Sequence, residues 1–259
     1  MRIAVCVKQV PFGDANMDFN TGMLIRLADK SILNPYDRYA VEAALQTREK
    51  TGGTITALSM GSPSAVKSLR EVLAVGVDEA ILLTDSRFAG ADTLATSFTL
   101  SSAINKFGMF DIIFCGSRTT DGDTAQVGPE TAALLGLPFC MWATAIDIDK
   151  KEQGHLIVRH RISEGQLTSL LPMPCLIGVG PEFGTPRLPS IRSKLLAERA
   201  EIRIHNADIF PKEDAEFFGL NGSPTQVLRL FKISYDQRRG NVRELNPKEA
   251  ATEIKGILK

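Results

Sequence analysis

The residues best suited to hold a ligand crowd together between Gly116 and Leu135. Ser117, Arg118, Thr119 and Thr120 lead into Asp121, Gly122, Asp123 and Thr124. Ala125, Gln126 and Val127 follow and open an alanine- and leucine-rich stretch that predicts a helix starting near Thr124. The first N–H groups of a helix have no intrahelical acceptor and lie at the positive end of its dipole. Thr124, Ala125 and Gln126 would therefore suit a phosphate or pyrophosphate. Asp121 and Asp123 are odd neighbours for an anion, which leaves one of them to cap the helix or to bond a ribose hydroxyl. The same string also reads as an ordinary turn and N-cap with no ligand, and local chemistry alone favours that plainer reading.

Other chemistries have no carrier. There is no GxGxxG after a strand, no GxxxxGK[ST], no HExxH and no GxSxG, so the usual dinucleotide, P-loop, zincin and hydrolase signatures are absent. His155, His160 and His205 lie late in the chain and read as structural or surface residues. No His or Glu stands beside Asp121 and Asp123 to complete a metal shell. Cys6 and Cys115 fall near strand ends, where a small buried apolar side chain fits. With no acid–base constellation and no catalytic side chain in view, the pattern suits a protein that holds a nucleotide or redox cofactor.

The elements that must position these residues follow from the hydrophobic pattern. Ile3 to Val7, Thr54 to Met60, Glu79 to Thr84 and Asp111 to Gly116 are short runs rich in Ile, Val and Leu, as strands covered on both faces should be. Helical stretches alternate with them: Pro35 to Gly53, Ser62 to Gly76 with Pro63 in its first turn, and a helix capped by Asp92. The alternation predicts an α/β fold, a doubly wound and mostly parallel sheet with helices on both faces. Ligands of such sheets sit beyond the carboxyl ends of the strands, where KQVPFG, GSPS and the string after Gly116 begin.

From about Phe139 the pattern changes. Thr144 to Ile148, His155 to Ile162 and Gln166 to Leu171 predict an antiparallel addition at about 139–171, before a last buried strand in Pro172 to Gly180. A Pro- and Gly-containing connection then leads into a helix over Ile191 to Ile202. The expected organisation is an α/β domain over 1–205 and a polar arm over 206–259 that packs on a partner, with a short helix from Pro247. Across 259 residues, 44% hydrophobic and 23% charged residues suffice for a full core, and 30 basic against 30 acidic residues give no field to draw in nucleic acid. No apolar run is long enough to span a membrane and no signal-peptide pattern precedes Lys8; with four cysteines and no CxxC pair, the expected location is a reducing cytoplasm.

Several segments in order resemble one family. VCVKQVP (Val5 to Pro11), NPYDRYAVEAAL (Asn34 to Leu45), ALSMG (Ala57 to Gly61), Gly116 to Pro138 and PRLPSIRSKLLA (Pro186 to Ala197) are similar to the β subunit of electron-transfer flavoproteins. The resemblance implies a heterodimer with an FAD-carrying α subunit, on which the arm would pack. It also implies a second adenine nucleotide at the sheet's carboxyl edge of this chain. Contacts carried over by position are Cys6, Val7 and Lys8; Asn34, Pro35, Tyr36 and Asp37; Met60; and the unbroken stretch Gly116 to Val127.

In some members the second nucleotide is a structural AMP; in the electron-bifurcating members it is FAD, which takes hydride from NADH. KQVP and DGDTAQVGP resemble the bifurcating branch more closely, and Pro11-Phe12-Gly13 offers a small-residue turn for an isoalloxazine ring. That branch implies ferredoxin or flavodoxin as one electron acceptor. The α-subunit flavin would feed the other, a flavin-dependent dehydrogenase acting on an acyl-CoA, an enoyl-CoA or a 2-hydroxy acid. The segment at about 184–197 resembles the family's partner-recognition loop, with Leu188 as apolar anchor, Pro189 and Ile191 beside it, and Arg192 and Lys194 as flanking cations. The alternatives are a single-flavin carrier whose β subunit binds AMP, and a stress-protein-like ATP-binding regulator on a similar sheet.

Overall fold

The computed structural model describes residues 1–12, 30–149, 152–225 and 244–257. Two compact units divide the chain, Met1–Gln226 and Val227–Lys259. In the first, the expected strands form: β1 (Arg2–Cys6), then after two short strands β2 (Gln9–Pro11) and β3 (Ser31–Leu33), β4 (Thr54–Met60), β5 (Glu79–Leu83) and β6 (Ile112–Gly116). Between and after them run α1 (Pro35–Thr51), α2 (Val66–Ala74), α3 (Thr93–Phe107) and α4 (Val127–Leu135). β7 (Phe139–Ile148), β8 (His155–Ile162), β9 (Gly165–Pro172) and β10 (Cys175–Val179) complete the run, followed by α5 (Ile191–Arg199) and β11 (Arg203–His205).

One nine-stranded sheet has the order β11-β5-β4-β1-β6-β10-β7-β8-β9, and β2 pairs with β3 in a separate small sheet. All pairs from β11 to β7 are parallel; β7–β8 and β8–β9 are antiparallel. β7 does both jobs, its first half lying parallel to β10 and its second half antiparallel to β8.

Strand alternation divides the core in two. Ile3, Val5, Ile55 and Phe114 face Ala40, Val41, Leu45 and Leu69 of α1 and α2. Ala4, Leu58, Ile81 and Ile113 face Leu100, Ala103 and Ala132 of α3 and α4. The strand order therefore reverses between β1 and β6, with α1 and α2 on one face and α3 and α4 on the other. That reversal makes the gap beyond Cys6 and Gly116 the switch point where open α/β sheets bind ligands.

Two expectations change. The helix placed over Ile191 to Ile202 ends at Arg199, and Arg203–His205 instead adds a parallel edge strand beside β5. The arm does not begin at residue 206: Ala207, Phe210 and Phe218 are buried in the second core, where Phe210 and Phe218 pack edge-on around Phe88. Polar residues surround those aromatics in sequence, so composition hid a stretch that three side chains fasten down. β2 and β3 were too short for periodicity to show. The second unit is described only as α6 (Pro247–Ile257), capped by Asn246, whose side chain accepts from the N–H groups of Lys248 and Glu249.

Candidate functional site

The end of β1, the N-terminus of α1 and the end of β6 meet around one carboxylate. Asp37, in the first turn of α1, is buried at 4% exposure. Its Oδ2 accepts the Lys8 N–H at 2.7 Å and its Oδ1 accepts the Asn34 side-chain amide at 2.8 Å. The Gly116 N–H also donates to it. The Asn34 amide donates in addition to the Arg118 carbonyl at 3.0 Å, tying α1 to the loop after β6. Burial pushes the Asp37 carboxyl up to about 7, against the opposing pull of the Lys8 N–H, Asn34, the Lys8 charge and the Gly116 N–H.

This packing explains a glycine. A Cβ on Gly116 would collide with the Asp37 carboxylate and would lie 2.9 Å from the Tyr36 carbonyl carbon. Only a residue without a side chain lets β6 end against the start of α1.

Above this floor the Lys8 ammonium reaches across to Asp121, 2.7 Å from Oδ2 and 2.8 Å from Oδ1. Burial raises the Asp121 carboxyl, but the Lys8 charge and hydrogen bond, Thr119 and the Gly122 N–H outweigh it and hold the group below the usual carboxylate range. Arg118 lies over the Tyr36 ring at 5.2 Å and pairs with Asp123, Nε to Oδ1 at 2.8 Å. That last contact is an ion pair without hydrogen-bond alignment. Neither aspartate caps a helix.

The helix itself begins later than the sequence suggests. α4 starts at Val127, with Gln126 as a right-handed N-cap that makes no side-chain cap bond. Asp123 and Ala125 hold positive φ, 53° and 56°, so the chain from Asp123 to Ala125 cannot be helical. Ala125 at positive φ leads directly into the right-handed Gln126 at the start of α4. The anion-binding feature expected from the sequence is thus a strained loop joined to a helix start. Holding alanine there costs about 1 kcal/mol. Ala125→Gly should stabilise the chain by about 0.5–1 kcal/mol in urea denaturation, and Ala125→Val should destabilise it.

The structure brings most of the expected site residues together. Cys6, Val7 and Lys8 leave β1; Asn34, Pro35, Tyr36 and Asp37 open α1; and Gly116 to Asp121 run along the same rim. Gly122, Asp123 and Thr124 are exposed beyond it. Met60 ends β4, on the other side of β1. The Cys6 thiol is pushed up to about 12 by burial and by the Asp37 charge, and burial raises Cys115 as well. Both stay protonated at neutral pH, in keeping with small core residues. Gly13 of the expected small-residue turn lies outside the described residues.

Some contributors had no sequence signal. Gln9 donates to the Ser64 carbonyl at 3.0 Å and accepts from the Ser64 hydroxyl at 2.8 Å, tying the exit of β1 to the turn after β4. Trp142, at φ 60° in β7, lies beside Gly180. With Met141, His160 and Arg161 it lines a cleft of about 410 Å³ on β7–β9. A tryptophan in a strand otherwise predicts only packing, and its left-handed backbone leaves no mark in composition.

The residues expected to dock a partner lie at α5 and just before it. Leu188 is 84% and Ile191 81% exposed; Arg192 and Lys194 are exposed, and Pro189 is half-buried.

The family model described as electron transfer flavoprotein domain matches residues 21–209. The chain belongs to the electron transfer flavoprotein family. It is 42% identical to the electron transfer flavoprotein subunit beta of Thermoanaerobacterium thermosaccharolyticum, covering 98% of this chain and 96% of that protein. Protein FixA of Sinorhizobium fredii is 44% identical over 89% of this chain and 83% of its own length. The caffeyl-CoA reductase-Etf complex subunit CarD of Acetobacterium woodii is 42% identical over 89% of this chain and 87% of its own. An electron transfer flavoprotein β-subunit role follows from this match along nearly the whole chain. The mostly parallel sheet with helices on both faces is the fold that the strand–helix alternation predicts. Among the described residues there is no group of three or more His, Cys, Asp or Glu that could hold a metal, and no helix long and apolar enough to cross a membrane.

Proposed function

We propose that the chain pairs with an electron-transfer flavoprotein α subunit in the cytoplasm, that its switch-point crevice holds FAD, and that the heterodimer takes hydride from NADH and bifurcates the electrons. One electron goes to ferredoxin or flavodoxin. The other passes by way of the α-subunit FAD to a flavin-dependent dehydrogenase of the acyl-CoA, enoyl-CoA or 2-hydroxy acid type. The observation that carries this reading is the Lys8–Asp121 ion pair. It joins, across the crevice, the two segments that resemble the two-FAD branch, Lys8 to Pro11 and Asp121 to Pro129. The relative named for a caffeyl-CoA reductase-Etf complex supports a CoA-ester-linked partner.

The residues present fit an adenine dinucleotide. Ser117 Oγ and Asn34 Oδ1 are buried at the crevice with no hydrogen-bond partner in the protein, leaving polar groups to meet a ligand. The N–H groups of Ala125, Gln126 and Val127 would take phosphate oxygens. The Lys8 charge would offset those phosphates while Asp121 keeps it in place. FAD bound there would supply hydride acceptance and one-electron transfer. The protein contributes binding, orientation and exclusion of water, with no side-chain proton donor required.

The test is to co-express the chain with its α subunit, denature the purified heterodimer and count released nucleotides. Two FAD and no AMP per heterodimer is the expected result, accompanied by NADH-driven reduction of ferredoxin. One FAD and one AMP would overturn bifurcation and leave a single-flavin carrier.

A further inference from the structure

The docking helix α5 has little reason to be ordered by itself. It is nine residues long, its only buried residue is Ala197, and Ile191, Leu195 and Leu196 are all more than half exposed. A helix this short is marginal in water without tertiary packing, and here the apolar residues that would normally dock it point outward. A cap from Ser190, which accepts the Ser193 N–H at 3.0 Å, stabilises only the first turn.

Two arginines from outside the helix hold its ends. On the N-terminal side the Arg187 guanidinium forks onto Glu42 of α1, Nε to Oε2 at 2.9 Å and Nη2 to Oε1 at 3.0 Å. The Arg187 backbone N–H donates to the same carboxylate at 3.0 Å, and Nη1 reaches Glu49. Glu42 is 5% exposed, so this is a partly desolvated bidentate pair rather than a loose surface bridge. On the C-terminal side Arg70 of α2 donates to the Ala197 carbonyl at 2.5 Å and to the Ala200 carbonyl at 3.4 Å, with Glu198 3.7 Å away. A cation on the last carbonyls of a helix satisfies them and complements the dipole.

We infer that Arg187 and Arg70 are positioning residues, a two-point clamp that holds residues 187–200 as a preformed docking element. Its occupant is an apolar pocket with an acidic rim on the partner dehydrogenase. The inference rests on the docking reading given above. Ile191 and Leu195, four residues apart on α5, are exposed on it, Leu188 is exposed in the approach, and the exposed Arg192 and Lys194 supply the charge that an acidic rim would meet. The clamp removes the ordering cost that a floating segment would incur on binding. Glu42 and Glu49 belong to the helix whose first turn forms the crevice floor, so one rigid element carries both surfaces.

The first arm of the test needs no partner. In the intact heterodimer, amide exchange of residues 188–200 should accelerate at least about tenfold in Arg187→Gln and in Arg70→Gln, while β1 and β6 keep their protection. Arg187→Lys should recover part of the effect, because an ammonium cannot fork. Unchanged exchange in both Gln variants would overturn the clamp. If Arg187→Gln fails to fold, Arg70→Gln and Arg187→Lys decide.

The second arm titrates a purified flavin-dependent acyl-CoA dehydrogenase as electron acceptor. Both Gln variants should raise its KM about tenfold, with kcat and flavin content unchanged. Leu188→Ala is the control for the docking reading. If it raises KM and the arginine variants do not, docking stands and the clamp's role in it is overturned. If Leu188→Ala leaves KM unchanged, the docking reading fails, and the assigned role of the clamp fails with it.

Discussion

Asp37→Ala is expected to destabilise the chain by about 3 kcal/mol near neutral pH and to empty the proposed nucleotide site. The change leaves the Lys8 N–H, the Asn34 amide and the Gly116 N–H without their acceptor. Each buried donor stranded in this way costs about 1–3 kcal/mol. All three belong to different elements, so their loss separates β1, α1 and β6 at the point where the crevice forms. Urea denaturation measures the first effect, and nucleotide content of the purified heterodimer measures the second.

The same residue sets a pH dependence whose sign is opposite to the common carboxylate case. Burial raises Asp37 from 3.8 to about 7 in the fold, so the folded state holds a proton that the unfolded chain has already released. The stability linked to this group is full below pH 3.8 and is lost as pH rises through about 7, by up to about 4 kcal/mol. The Asp37→Ala deficit should therefore be larger at pH 5 than at pH 8. Asp121 and Glu42, held below the usual range, act the other way and lose their contribution only as pH falls below the ordinary carboxylate region. A deficit that is equal at pH 5 and pH 8 would show that Asp37 does not titrate in this window.

The second large effect is expected at Gly116. Gly116→Val places a branched side chain against the Asp37 carboxylate and the Tyr36 backbone, neither of which is the free end of a flexible chain. α1 must shift away from β6, breaking the Asp37 bonds as it goes. The combined overpacking and lost hydrogen bonding should cost about 3–4 kcal/mol, lowering Tm by roughly 6–16 °C for a chain of this size. Gly122→Val makes the matched control, since a Cβ at Gly122 meets nothing within 4 Å. Its Tm should stay close to that of the unchanged chain. Equal thermal loss in the two variants would mean that the close approach at Gly116 is not what matters.

Much of this architecture was legible from local pattern. Buried parallel strands read as unbroken apolar runs because both faces are covered, and β1, β4, β5 and β6 lie within a residue of where those runs stand. Asp92 caps α3 through the Ala95 N–H, as a short acceptor before an apolar helix should. The rule that ligands sit at strand carboxyl ends pointed to Lys8 and the loop from Gly116, and the family resemblance added Asn34 and Asp37.

The misses share one cause. The start of α4 moved from Thr124 to Val127 because Asp123 and Ala125 adopt left-handed φ, which residues other than glycine enter only when their surroundings hold them there. The tail from Asn206 to Phe218 reads as polar, yet Phe210 and Phe218 close on Phe88, more than a hundred residues earlier in the chain. The Arg187–Glu42 fork likewise joins residues that no window of sequence contains together.

By itself, then, the sequence determined the sheet's alternation, the two-faced core and the family, since each follows from periodicity or from contiguous motifs. Only the tertiary structure decided that Asp37 is a buried acceptor shared by three elements, that Lys8 and Asp121 bridge the crevice, and that α5 is held by arginines from α2 and from its own approach. Those features are pairings between residues distant along the chain, and their energies come from burial and geometry that no local stretch encodes.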